Sequence, residues 1–209
     1  MSLILVTGPT VEPVSTAEAK SHLRVDSSDD DTLIAALVTA ARQHLDGRDG
    51  WLNRALVTQT WDLHLAAFPD ATRGNPAAAI RVPLPPLQSV TSISYIDAAG
   101  ATQTLAGAGY TVSGVGALGP GAIEPSYGNS WPATRDVPEA VTVRFVAGYA
   151  SGESPEDASA VPQPVKQAIL LLVGHWYANR EAVNVGNIVS ELPMAVEALL
   201  APYRVTWFS

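Results

Sequence analysis

The 209-residue sequence predicts an α+β fold: both chain ends form a helical bundle, and an antiparallel β-sheet is inserted between them. Residues 15–46 and 162–182 carry helix signals, whereas residues 55–149 form short alternating runs interrupted by Gly and Pro. No helical pattern separates the strands, which favours antiparallel pairing. The predicted divisions are N-terminal helices in residues 1–53, an inserted β region in residues 54–150, and a linker, C-terminal helices and tail in residues 151–209.

The N-terminal helices are predicted from their first turns. Ser15 and Glu18 have the spacing of a capping box, in which each side chain bonds the backbone N–H of the other residue. Ser28 is the expected N-cap of a second helix, and the acids 29–31 suit the positive end of its dipole. Apolar residues then recur every fourth position from Leu33 to Leu45, before Asp46 and Gly47 end the helix.

The middle of the chain shows the period of two that is typical of strands. Between Val57 and Leu65, apolar residues alternate with Thr, Asp and His. The segment 97–100 has the composition of a hairpin turn, with Gly available for a left-handed backbone position. The predicted strands are 57–65, 79–82, 90–96, 102–105, 110–112 and 141–146.

The C-terminal helix is predicted over 165–180, after Pro162 and Pro164, and a short last helix begins at Pro193. The helix over 165–180 carries two apolar stripes, which indicates burial on two faces. We assign Leu172 to the core stripe and expect the other stripe to meet the sheet or another subunit. An aromatic tail follows. It docks either on its own sheet or on another protein. The predicted protein-interface residues are Leu170, Val173, Tyr177, Tyr203, Val205, Trp207 and Phe208.

No segment predicts catalysis, a cofactor or a metal. The run Gly114–Gly119 has the letters of a dinucleotide fingerprint, but Pro120 and Gly121 follow it where a helix is required. The acids 29–31 lack the alternating spacing of a calcium loop. The four histidines have no zinc spacing, and we expect His175 to be buried and structural. The arginines at 24, 42, 48 and 54 are read as solvated surface or inter-subunit pairing.

The composition limits the classes of partner. Apolar residues make up 47% of the chain and charged residues 15%, so we expect neighbours to cover surplus apolar helix and tail. The net charge of −8 disfavours tight DNA binding. The absence of cysteine excludes disulfides and thiolate sites. No signal peptide or membrane-spanning stretch is visible, which predicts a soluble cytosolic product.

Six segments of the chain together form a recognisable pattern through their order and spacing. They are residues 12–25 (EPVSTAEAKSHLRV), 33–37 (LIAAL), 54–61 (RALVTQTW), 83–90 (PLPPLQSV), 175–181 (HWYANRE) and 199–204 (LLAPYR). With these segments the sequence resembles the head–tail connector, or adaptor, family of long-tailed bacteriophages, with counterparts in prophages and gene transfer agents. Ala178 stands where many relatives would have an acid, which puts one inter-subunit ion pair in doubt.

The resemblance implies a non-enzymatic ring of about twelve copies in the neck of a virion or gene transfer agent particle, assembled in the bacterial cytoplasm. The ring would bind below the portal protein, extend a channel through which DNA passes without specific binding, and meet a neck or tail-completion protein. The segment 201–209 would contact the portal. Two alternatives stay open: a stand-alone β-rich domain that binds a peptide or carbohydrate, and a hydrolase with a dispersed site.

Overall fold

The computed structural model describes residues 1–69, 79–149, 158–179 and 194–206. The chain forms two compact units. The strand unit consists of Met1–Pro9 and Thr58–Tyr149. The helical unit consists of Thr10–Val57 and Ala150–Ser209. Each unit therefore draws on two separate stretches of the chain.

The strand unit contains two antiparallel sheets, which confirms the α+β class. The five-stranded sheet has the order β1-β2-β8-β4-β5, and the three-stranded sheet the order β3-β7-β6. The strands are β1 (Ser2–Thr7), β2 (Gln59–Leu65), β3 (Ile80–Val82), β4 (Leu87–Ile96), β5 (Thr102–Thr104), β6 (Tyr110–Ser113), β7 (Gly121–Pro125) and β8 (Val141–Ala147).

Side-chain alternation fixes the face that each central strand buries. In β8, Val141, Val143, Phe145 and Ala147 are buried, and the residues between them are half-buried or exposed. Because successive side chains of a strand point to opposite faces, these four buried residues lie on the same face of β8 and form a continuous apolar layer there. β8 pairs with both β2 and β4, and thus lies at the centre of the sheet.

The six predicted strands are present, and the largest shift of a bound is Leu87 against the predicted Val90. The predicted hairpin turn joins β4 to β5, with Gly100 at φ 91°. Two strands, β1 and β7, were not predicted. β1 has four apolar residues in succession, 3–6, between Ser2 and Thr7, so it shows no alternation, and it belongs to the sheet although residues 1–53 were expected to be helical. β7 lies between Gly and Pro, which obscure its pattern.

The helical unit contains α1 (Thr16–Leu23), α2 (Asp31–Leu45), α3 (Gln163–Ala178) and α4 (Met194–Leu200). Helix α2 packs on α1 and α3, and α3 also packs on α4. The capping box at α1 is confirmed: Glu18 N donates to Ser15 Oγ at 3.2 Å, and Ser15 N donates to Glu18 Oε2 at 2.8 Å. The predicted Ser28 cap is wrong, since α2 has Asp30 at its N-cap without a side-chain cap bond.

Candidate interaction surfaces

The two apolar stripes of α3 are buried to different extents. Leu172 is buried with its stripe, as predicted. On the second stripe, Leu170 and Tyr177 are half-buried, but Val173 is fully buried within the chain. The prediction that Val173 faces a partner is therefore wrong, because the helical unit itself occupies that side of α3. Leu170 and Tyr177 retain some exposed surface.

Tyr177 also has a polar partner inside the helical unit. Its hydroxyl donates a hydrogen bond to Asp30 Oδ2 at the start of α2. A part-buried phenol with such a partner is satisfied, and the bond ties the last turns of α3 to the first turn of α2. The hydroxyl of Tyr177 therefore holds two helices together, while the side chain as a whole is only half-buried.

The tail docks on the loop that follows α2. Arg54 Nε donates to the Tyr203 carbonyl at 2.9 Å, and Val205 N donates to the Leu52 carbonyl at 3.0 Å. Asn53 Nδ2 donates to the Val205 carbonyl at 3.2 Å. Val205 is only 4% exposed, so its assignment to a protein interface is wrong. This segment docks within the helical unit, which was neither of the two predicted outcomes.

The ring of Trp51 adds a further contact to this docked segment. The Arg204 guanidinium lies 4.5 Å from the centroid of that ring, within the range of a cation–π interaction. Tyr203 stays half-buried at the surface. The predicted interface residues Trp207 and Phe208 lie outside the described residues.

A buried ion network orders the loop that receives the tail. Arg42 Nε donates to Glu12 Oε2 at 2.7 Å, and Arg42 Nη1 donates to Asp46 Oδ2 at 3.2 Å. Asp46 Oδ1 accepts the Leu56 N–H at 2.8 Å. The loop also approaches closely at Gly50, where a Cβ would lie 2.3 Å from the Asp46 carbonyl oxygen. The carboxylates of Glu12 and Asp46, which bind two different nitrogens of the Arg42 guanidinium, thus compensate for the burial of its charge.

The arginines at 42 and 54 were expected on solvated surface or in inter-subunit pairing, and both are buried within the chain. The spacing of Arg42 and Asp46 by four residues was the available signal, since such residues face each other on a helix. Nothing local in the sequence indicates the contribution of Glu12, which is 30 residues from Arg42. Arg24 and Arg48 are exposed, as predicted.

Among the described residues, most of the large exposed apolar side chains lie in the strand unit, whereas the sequence led us to expect them on the helices and the tail. Ile4 is 51% exposed, Leu5 45% and Val115 56%. The large apolar residues that are exposed among those described are Met1, Ile4, Leu5, Val6, Val115, Leu118, Tyr127 and Met194. All but Met194 belong to the strand unit. Scattered apolar residues are normal on a surface, but three in succession on one strand are not.

An aromatic cluster bears on the carbohydrate-binding alternative. Phe68 stacks on Trp131 with ring centroids 4.8 Å apart and an interplanar angle of 6°, and its edge meets Tyr95 at 5.6 Å. Sugars bind to open aromatic faces, whereas one face each of Phe68 and Trp131 is covered by the other. The cluster therefore gives that alternative no direct support.

The segments tested for cofactor or metal chemistry have structural settings. Gly114–Gly119 connects β6 to β7, and both Gly114 and Gly116 have positive φ angles that suit glycine. Asp31 pairs with Lys20. Within the described residues, no group of three His, Asp or Glu side chains has a metal-binding arrangement. His175 is exposed, not buried as expected.

Residues 133–204 match the family of phage gp6-like head-tail connector proteins. The resemblance to head–tail connectors is confirmed. This match spans β8, α3 and α4. No curated protein matches the chain significantly. Among the described residues, none of the helices has the length and apolar character required to cross a bilayer.

Three solved structures are similar over almost the whole chain. The virion of a native gene transfer agent particle contains a chain with 25% identity and a TM-score of 0.73, and the neck of an empty particle computed with C6 symmetry contains one with 26% identity and the same TM-score. A chain in the neck of a native particle, computed with C12 symmetry, has 24% identity and a TM-score of 0.66. Each similarity covers 99% of this chain and 96% of the other.

Proposed function

We propose that this protein is a structural subunit of the head–tail connector in the neck of a phage or gene transfer agent particle. The observation that carries the proposal is the similarity to neck and virion chains over 99% of the chain, at 25% and 26% identity. The family match of residues 133–204 supports it independently of the overall fold. In this role the protein joins head to neck and tail without catalysis.

The proposed subunit is one copy of a cyclic ring that extends the portal channel. A ring requires a head-to-tail contact that repeats until the rotation closes. The C6 symmetry used for one similar neck supports a cyclic arrangement. The net charge of −8 would keep passing DNA mobile, because phosphate is repelled. The ring is proposed to have about twelve copies.

Within the subunit, both chain ends would contribute the helical bundle, and the strand unit would be the insertion between them. The predicted divisions 1–53, 54–150 and 151–209 are kept in this proposal with changes at their edges. Residues 1–9 are assigned to the strand unit, because β1 pairs with β2, and residues 54–57 and 150 are assigned to the helical unit.

The C-terminal tail is the proposed portal contact. The half-buried Tyr203 and the terminal aromatics Trp207 and Phe208 are the candidates for this contact, and Val205 supports them from the core. On α3, the half-buried Leu170 and Tyr177 are candidates for contact with another subunit, and Val173 supports them from the core. A neck or tail-completion protein would bind elsewhere on the ring.

Co-purification with the portal protein of the same particle tests this function. Two truncations separate recognition from folding. Removing residues 207–209 leaves Val205 docked on Leu52, whereas removing 201–209 also deletes that docked segment. We expect the short truncation to lose portal binding with an unchanged unfolding midpoint, and the long truncation to lose both binding and stability. Portal binding that survives the long truncation would contradict the tail assignment, and a full chain that never binds a portal would contradict the connector function.

A further inference from the structure

Strand β1 has the features of an edge that is covered in an assembly. It pairs with β2 on one side, and no other described strand pairs with its outer side. Edge strands are usually protected by charges, proline or a covering segment. Residues 2–7 contain no charged residue and no proline, and Ile4, Leu5 and Val6 are exposed in succession. Since successive side chains point to opposite faces, both faces are apolar at this edge.

A second exposed apolar patch, which contains Val115, lies beside β4, across the five-stranded sheet from the β1 edge. The loop from β6 to β7 is attached to the start of β4: Val115 forms a bridge with Leu87, and Gly116 N donates to the Leu87 carbonyl at 2.8 Å. In the sheet, β2 and β8 lie between β1 and β4. Three strand spacings of about 4.8 Å place the two patches roughly 14 Å apart or more.

The two patches lie at the same end of the sheet. Leu87 is opposite Ala147, which is opposite Gln59, and the neighbouring Thr60 is opposite Thr7 of β1. The end of β1 and the attachment of Val115 are therefore nearly level along the strands. If the ring axis runs along the strands, a contact between patches at the same height rotates each copy about the axis relative to the previous one without shifting it along the axis. A closed ring requires such a contact.

Charge indicates what covers these patches. Copies of a chain with a net charge of −8 repel each other, so contact through uncharged apolar patches is favoured over contact through acidic surface. Residues 2–7 and 113–123 contain no Asp, Glu, Lys or Arg. A head-to-tail contact needs two different surfaces on one chain, and the strand unit has two uncharged apolar patches on opposite sides.

We propose that the β1 edge of one copy packs against the Val115 loop of the next copy in the ring. This inference rests on the proposed connector function and names one of its contacts. It assigns the strand unit to contact between copies, while the portal is proposed to bind the C-terminal tail. The partner is a second copy of this chain, and the contact is apolar.

Thiol cross-linking tests the contact directly, because the chain has no cysteine of its own. The purified full chain is prepared as Leu5→Cys with a size tag and as Val115→Cys without a tag. The two are mixed at high concentration and treated with a flexible bismaleimide. We expect a mixed covalent dimer that neither variant forms alone, and a ladder of larger products from the double variant.

The matched control is Thr102→Cys, an exposed position on β5 at the opposite edge of the sheet. Mixing it with Leu5→Cys should give at least about tenfold less mixed dimer, which corresponds to about 1.4 kcal/mol of preference. Equal yields from the two mixtures, or only symmetric dimers of Leu5→Cys, would overturn the proposed contact.

A charge substitution provides a second readout. Leu5→Asp should lower the cross-linking yield of a Val115→Cys and Ile4→Cys pair at least about tenfold, because an unpaired carboxylate would be buried at the contact. Thr102→Asp should leave that yield unchanged, and circular dichroism should show both variants folded. If Leu5→Cys and Val115→Cys give no mixed dimer while portal co-purification is intact, only this inference is removed. Loss of portal co-purification with intact cross-linking removes the connector function instead.

Discussion

The two units place apolar and charged residues in opposite ways. The helical unit buries Leu172 and Val173 of α3 and encloses Arg42, Asp46 and Arg54. The strand unit exposes apolar residues on β1 and in the loop after β6, and its Asp62–Arg144 ion pair is only part-buried. Apolar content alone therefore does not identify an interface. What decides is whether the rest of the same unit covers a given face.

The largest expected effect is the loss of the buried cation in the helical unit. Arg42→Met should lower the free energy of unfolding by about 3–5 kcal/mol, because it leaves the Asp46 carboxylate without its charged partner in the core. Urea denaturation followed by circular dichroism measures this. Arg48→Met is the control, since that side chain is 58% exposed, and it should change stability by less than about 0.5 kcal/mol. Similar losses from both variants would show that burial of Arg42 is unimportant.

Substitutions on the two apolar stripes of α3 should differ in their effect on the free energy of unfolding. Leu172→Ala should lower the free energy of unfolding by about 2–5 kcal/mol, since it opens a cavity in the core. Leu170→Ala removes the same atoms from a half-buried position and should cost markedly less. Urea denaturation of both variants gives the comparison. A loss below about 1 kcal/mol for Leu172→Ala would mean that the faces of α3 are wrongly assigned.

The docked tail should respond more weakly. Arg204→Ala removes the cation above the Trp51 ring and should cost about 0.5–1 kcal/mol. Arg24→Ala serves as the control, because Arg24 is an exposed arginine in the same unit. Chemical denaturation gives the free energies, and limited proteolysis near residue 204 reports tail release. Equal resistance of the Arg204 variant and the unmodified chain would show that the contact does not hold the tail.

The smallest effect is expected in the strand unit and depends on pH. The bidentate hydrogen bonds from Arg144 hold the pKa of Asp62 below its ordinary value of 3.8. The pair therefore contributes stability above that pH, and the contribution is lost as pH falls through the lowered pKa in the folded protein. Arg144→Ala should cause a small loss of stability at neutral pH, because it removes a cross-strand ion pair at a partly exposed site.

Below the lowered pKa of Asp62, the stabilities of the Arg144 variant and the unmodified chain should converge. Denaturation at neutral and acidic pH measures the difference. A difference that stays constant with pH would show that Arg144 acts through packing and not through the charge of Asp62. Asp62→Asn, which keeps the shape of the side chain, should reproduce the loss at neutral pH and remove its pH dependence.

Local patterns predicted local structure well. The Ser15 and Glu18 pair gave the start of α1, and alternation gave the position of β8, because each depends on neighbouring residues. Burial of Val173 and docking of Val205 depend on packing with distant segments, which periodicity does not describe. The strand at residues 2–7 was missed because its partner β2 lies more than 50 residues away and an edge strand with exposed apolar residues lacks alternation.

The residues proposed for the site divide in the same way. Half-burial of Leu170 and Tyr177 is compatible with the face predicted from helical spacing. The exposed Val115 lies in a glycine-rich loop in which the sequence predicted no interface residue. Its attachment to Leu87 and its position relative to β1 are properties of the folded sheet, and no spacing along the chain contains them.

Each unit is built from two separate stretches of the chain, and this determines which unit is completed first during synthesis. The strand unit is complete once residue 149 has left the ribosome, but the helical unit still lacks α3, α4 and the segment that docks on Leu52. Domains fold as units when their residues become available, so the first unit to mature is the one with the exposed apolar edge. A nascent chain would therefore expose the apolar β1 edge before the rest of the helical unit has been synthesised. The risk of premature association between chains would be greatest in the period before the chain is released from the ribosome.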